Sequence, residues 1–135
     1  LAATATASGE IVMNFANVPG AMPLMDANKI KALAVTGARR ATSLPQVPTL
    51  EESGVKGYDR TTWHGLLAPR GTPAETVARI NAAAVSVTST PDIKAMFLKQ
   101  GIEAQSSTPD ELARHIKREI GDNATLVRMA GATSQ

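Results

Sequence analysis

Two kinds of apolar patterning divide the chain. The first is a continuous run, Ala32 to Val35, in which apolar residues follow one another without alternation. A strand covered on both faces, as in a parallel sheet, has this pattern. Ile11 to Phe15 is a second short apolar run, and Pro19 then opens a helix that carries the chain to about Ala27. Strand, helix and strand in succession predict a parallel βαβ unit, whose right-handed crossover puts Ala16 and Asn17 on the same sheet edge as Thr36 and Gly37. Ligands of open α/β sheets sit at the carboxyl ends of the strands, so a site is expected at this edge.

The second pattern has helical spacing. Val77, Ile80, Ala84 and Val87 form one stripe, and Leu112, Ile116, Ile120, Ala124 and Val127 form a longer one. Both predict amphipathic helices laid over a sheet. Threonines mark the helix starts: Thr49 with Glu52, Thr72 with Glu75 and Thr108 with Glu111 have capping-box spacing, and Pro73 and Pro109 suit first helical positions. Thr90 before Pro91 lacks the glutamate. Residues 1 to 9 read as the tail of an Ala/Thr helix closed by Gly9, Tyr58 to Pro69 as a β-rich segment, and Ile102 to Gln105 as one more short strand.

Composition narrows the classes. A chain of 135 residues is one domain by length, and 43% hydrophobic against 19% charged residues is a globular balance with, at 3% aromatic, an aliphatic core. The formal charge of +2 is mixed along the chain, which describes an ordinary solvated surface and no nucleic-acid stripe. Without cysteine there is no disulfide framework or thiolate metal site. No apolar run approaches the roughly 20 residues of a bilayer helix, and LAATATASGE is not a signal peptide.

Catalytic groups are scarce. The two histidines, His64 and His115, accompany no nucleophile elbow, Walker loop or dinucleotide fingerprint. His115 and Glu119 are four apart on a helix, a spacing for a shared metal or, without a third ligand, for a solvent-facing hydrogen-bonded pair. His64 follows Trp63 in the β-rich segment, where a buried, hydrogen-bonded imidazole is expected. Asn17 has more to offer. It lies just past a strand end, carries amide donors and an acceptor, and precedes a helix whose first N–H groups suit a carboxylate; a helix-capping role is the compatible alternative. Thr36 and Gly37 supply a hydroxyl and an open backbone at the neighbouring strand end. Arg39 and Arg40 are either a guanidinium clamp for a dicarboxylate or a solvated basic turn, and Trp63 either lines a cleft or packs at a hinge.

The words LAVT (Leu33 to Thr36), the pair Arg39 and Arg40, and LPQVPTLEESG (Leu44 to Gly54) resemble the solute-binding receptors of tripartite tricarboxylate transporters, the Bug family. GEIVMNFAN (Gly9 to Asn17), WHGLLAPRGTP (Trp63 to Pro73) and STPDELARHIKREI (Ser107 to Ile120) extend the resemblance over essentially the whole chain. It implies an α/β fold, part of a type II periplasmic binding protein: residues 1–57 as the later part of the second, ligand-binding lobe, 58–71 as a crossing segment, and 72–135 as C-terminal helices completing the first lobe. It further implies a periplasmic, non-enzymatic receptor that takes a small carboxylate without metal or cofactor, contacts it through Phe15, Ala16 and Asn17, and serves membrane permease subunits. The chain starts at Leu1 without methionine, and the resemblance points to a missing front portion. Truncation would weaken solute binding and expose apolar stripes, favouring self-association. The competing classes are a small α/β enzyme using His64 or His115 as a base, and a dimeric interaction domain docking through the Thr108 helix.

Overall fold

Among the described residues, five helices begin and end where turn chemistry places them. The computed structural model describes residues 2–132. Helix α1, Ala2–Ser8, stops at Gly9, whose φ of +80° only glycine adopts without strain. Helix α2, Val18–Asp26, starts one residue ahead of Pro19 and tolerates a second proline, Pro23, inside it. Helices α3 (Ala74–Thr88), α4 (Pro91–Lys99) and α5 (Pro109–Met129) follow, the last being 21 residues long. The chain clusters into two compact units: Leu1–His64 with Ser89–Ala104, and Gly65–Thr88 with Gln105–Gln135.

The three expected capping boxes have three outcomes. At α5 the box is complete: the Glu111 N–H donates to Thr108 Oγ1 at 3.2 Å, and the Glu111 carboxylate accepts from the Thr108 N–H at 2.8 Å. That backbone donor, ahead of the Thr108 hydroxyl, holds the Glu111 carboxyl below its ordinary range. At Thr49 the same reciprocal bonds form, but they cap a single turn closed by Gly54 (φ +101°), not the expected short helix. At Thr72 the hydroxyl turns back to the Pro69 carbonyl at 2.8 Å, leaving Glu75 out of any box. A proline carbonyl one turn upstream competes for the same hydroxyl.

The chain on either side of α2 is non-helical, in the order expected, yet no backbone hydrogen bond joins residues 11–16 to 31–34 among the described residues. The parallel pairing that does form is Val35 with Thr49, through Val35 N–H to the Pro48 carbonyl (2.8 Å) and Leu50 N–H to the Val35 carbonyl (2.9 Å). Residues 102–105 form no strand either. A lone pair of short strands is marginal in water; a sheet needs further strands or a covered face. Here Val12 is 99% and Phe15 71% exposed, so neither face of that run is covered at these positions.

Burial in the first unit concentrates around Thr49 (2% exposed), Val47, Ala21 and Gly37. Two charged side chains tie its loops. Arg40 reaches both Glu52 carboxylate oxygens (2.9 and 3.2 Å) and the Pro45 carbonyl (3.1 Å), and Glu103 accepts from the Thr42 N–H and hydroxyl at 2.8 and 2.7 Å. Gly101, at φ +74°, packs against α2 so closely that a Cβ there would lie 2.5 Å from Val18 Cγ1 and 2.9 Å from Met22 Sδ. In the second unit the first half of the α5 stripe, Leu112 and Ile116, is half-buried where α5 meets α3. Its continuation, Ile120 and Val127, is exposed.

Two predictions follow from these ties. The Arg40 guanidinium, then the Thr49 N–H, lower the Glu52 pKa from 4.5. A carboxylate with a depressed folded-state pKa stabilises fully above pH 4.5, and the contribution disappears as pH falls through the folded value. Melting temperature measured against pH should therefore fall below pH 4.5 less steeply in Arg40→Met than in the unaltered chain; an unchanged slope contradicts the pairing. Gly101→Ala should cost about 2 kcal/mol in urea unfolding. Adding Val18→Ala should recover only the steric part, since the positive φ remains.

Candidate functional site

Residues 59–61 are docked on the end of the LAVT run, residue against residue. The Thr36 carbonyl accepts the Arg60 N–H at 2.8 Å, and the Ala38 N–H donates to Asp59 Oδ1 at 3.0 Å. Gly37 lies between these bonds, buried, with the Thr61 methyl 2.9 Å from where a Cβ would stand. Glycine is required by this close approach, since a side chain would push the two backbones apart and break the flanking bonds. The Thr36 side chain remains half-buried beside it.

The same segment reaches Asn17. Thr62 Oγ1 donates to Asn17 Oδ1 at 3.0 Å, so Asn17 and Thr36 are fastened to residues two apart, whose Cα atoms are separated by no more than about 7 Å. Residues 60–62 thus bond both of the residues singled out by sequence. Asn17 occupies the N-cap of α2 with extended backbone (φ −70°, ψ 137°), but its side chain makes no capping bond. The capping alternative therefore does not account for its amide. Gly20 and Ala21 both donate to the Asn17 backbone carbonyl and Pro19 has no N–H, which leaves Val18 as the donor of the first turn. Phe15 and Ala16, just ahead, are exposed.

Arg40 is committed to Glu52 and Pro45. The basic pair therefore divides: Arg40 closes the loop from Ala41 to Glu52, and Arg39 is exposed. The signature LPQVPTLEESG is legible as architecture, because Thr49 is buried and Glu52 is shared between the Thr49 backbone and Arg40. Sequence reading missed Asp59, Thr61 and Thr62. A run of short hydroxyl residues after an aspartate, in a segment that crosses a glycine, was the available signal.

His64 is exposed, not buried as expected, because every residue from 61 to 71 is exposed. Trp63 is 37% exposed at the end of the docked stretch. His115 forms the expected surface pair with Glu119 (Nε2 to Oε1, 3.6 Å), while Arg118 donates to its Nδ1 at 2.9 Å. A guanidinium only donates, so Nδ1 is the acceptor and Nε2 carries the proton toward Glu119. Among the described residues no three of His, Asp and Glu are grouped to hold a metal, and no helix is long and apolar enough to cross a membrane.

Comparison with known proteins covers nearly the same span. The model of the tripartite tricarboxylate transporter family receptor matches residues 2–131. A UPF0065 protein from the tcbD-tcbE intergenic region of Pseudomonas sp. (strain P51) is 34% identical over 113 residues, 83% of this chain and 34% of that protein. Protein BugT of Bordetella pertussis is 27% identical over 124 residues, 92% of this chain and 38% of its own length. Among solved structures, R. palustris Rpa4515 with adipate superposes with a TM-score of 0.84 at 32% identity, covering 95% of this chain and 43% of that one. The periplasmic binding protein BugD superposes at 0.74 with 31% identity, covering 84% and 39%. The chain spans about a third of the length of the curated relatives and about two-fifths of these structures. Its fold is part of the α/β periplasmic binding protein fold that the resemblance implied, and the relatives are binding receptors. Both the family match and the superpositions place the chain in the Bug family of tripartite tricarboxylate transporter receptors.

Proposed function

We propose that this chain forms part of a periplasmic receptor that captures a small carboxylate and presents it to the membrane permease subunits of a tripartite tricarboxylate-type transporter. The observation that carries the reading is that residues 60–62 bond both Asn17 and Thr36, and it supports a site using the Asn17 amide, the Thr36 hydroxyl and the Val18 N–H together. Hydrogen-bond donors collected at strand ends and a helix start suit a carboxylate. The adipate named with the R. palustris relative is a ligand of that class. Phe15 and Ala16 flank the donors, Gly37 gives the backbone its close approach, and Trp63 supplies an apolar wall. In this reading residues 1–57 belong to the ligand-binding lobe, 58–71 cross, and 72–135 complete the other lobe.

Capture needs no covalent step and no cofactor, so the protein is not an enzyme. The chain carries only a share of the relatives' length, hence only a share of the contacts.

Calorimetry with adipate should therefore give an affinity weaker than micromolar, and amide shifts on titration should concentrate at Ala16–Val18 and Thr36–Gly37. Shifts confined to other residues would remove the reading. Asn17→Asp should abolish the response by setting a second carboxylate against the ligand. The exposed Ile120, Val127 and Phe15 further predict self-association. Light scattering of a stable 14.1 kDa monomer at millimolar concentration would contradict that.

A further inference from the structure

We infer that the Thr62 hydroxyl is a positioning group that sets the polarity of the Asn17 amide, and through it the preference of the site for carboxylates over the corresponding amides. The inference rests on the carboxylate reading above and deepens it. Asparagine is ambivalent: its planar side chain presents an acceptor oxygen on one branch and two N–H donors on the other, and rotation by half a turn exchanges them. An asparagine free to turn serves a carboxylate, an amide or an alcohol equally. This one is held. Thr62 Oγ1 donates to Oδ1 at 3.0 Å, so the oxygen branch is occupied and Nδ2 with both its protons is directed away from Thr62.

Among the described residues no other hydrogen bond is made to the amide. The side chain makes no capping bond to α2, although Asn17 stands at its N-cap. The backbone carbonyl of Asn17 is likewise occupied, taking the Gly20 and Ala21 N–H groups at 3.1 and 3.2 Å. The Thr36 carbonyl is taken by Arg60, and the Ala38 N–H by Asp59. The Asn17 side-chain oxygen and the Asn17 and Thr36 backbone carbonyls thus already have donors, while the Asn17 Nδ2 protons, the Val18 N–H and the Thr36 hydroxyl stay available. An amide held with its N–H donors outward favours a group that accepts. A carboxylate satisfies it fully, whereas a primary amide leaves its own N–H groups facing donors, a mismatch that costs an unmade hydrogen bond.

Thr62 lies on an exposed stretch, so replacing it leaves the packing of the unit in place. The test uses the 135-residue chain labelled with nitrogen-15, as wild type, Thr62→Val and Thr62→Ser. Without ligand, the heteronuclear Overhauser effect of the Asn17 Nδ2 protons should report a restrained amide in wild type and Thr62→Ser, and a mobile one in Thr62→Val. An Asn17 amide equally restrained in Thr62→Val overturns the inference, whatever the ligand results. Titration with adipate and with neutral adipamide, followed at the same resonances, should show adipate preferred by wild type and Thr62→Ser. That preference should shrink about tenfold in Thr62→Val, the worth of one oriented charge-assisted hydrogen bond. A preference unchanged in Thr62→Val also overturns the inference, as does adipamide binding better than adipate to wild type, the mark of an amide turned oxygen-outward. If Thr62 restrains the amide but adipate perturbs no residue of the site, the positioning stands and the carboxylate reading fails.

Discussion

The close approach of residues 59–62 to residues 36–38 is the constraint from which the rest of the site follows. It depends on an absence of volume at Gly37, where the Thr61 methyl takes the space of a side chain. Only with the two backbones at that distance can Thr36 accept from Arg60 and Ala38 donate to Asp59. Once the segment is seated, the next side chain, Thr62, bonds Asn17. A single glycine therefore couples two strand ends that have no backbone hydrogen bond to each other among the described residues. The segment takes over the work that a paired sheet would do, and it does so with side chains as well as backbone.

Behind this edge stands a second tie. Arg40 and Glu52 close the loop that presents Thr49 to Val35, and the parallel pairing there is what anchors the end of the LAVT run. The family signature combines both layers. Leu33 to Gly37 leads to the site, whereas Arg40, Thr49, Glu52 and Gly54 hold the loop behind it. An arginine facing a cleft and an arginine locked to a glutamate look alike in sequence, because a salt bridge across 12 residues leaves no local spacing to read.

What the sequence disclosed and what it concealed divide along the same line. Helices were legible because their causes are local: Gly9 stops α1, Thr108 and Glu111 start α5, and Pro91 opens α4. Asn17 and Thr36 were singled out from the strand-helix-strand order, and both bond to residues 60–62. These bonds were not legible, since Asp59, Thr61 and Thr62 are remote in sequence and act through contacts of 21 to 45 residues' separation. Strand pairing failed for a related reason. Apolar runs such as Ile11 to Phe15 specify a strand only when neighbours cover them, and Val12 and Phe15 are largely bare. His64 was misplaced because its segment follows the docked stretch out into solvent.

The central claim, that residues 60–62 seat on the LAVT end and so join Asn17 to Thr36, is open to one direct measurement. In a nuclear Overhauser spectrum of the chain, the Thr61 methyl protons should give a strong cross-peak to the Gly37 α protons, as the approach of Thr61 Cγ2 to Gly37 demands. An assigned spectrum in which the Thr61 methyl contacts only its own sequence neighbours would contradict the account.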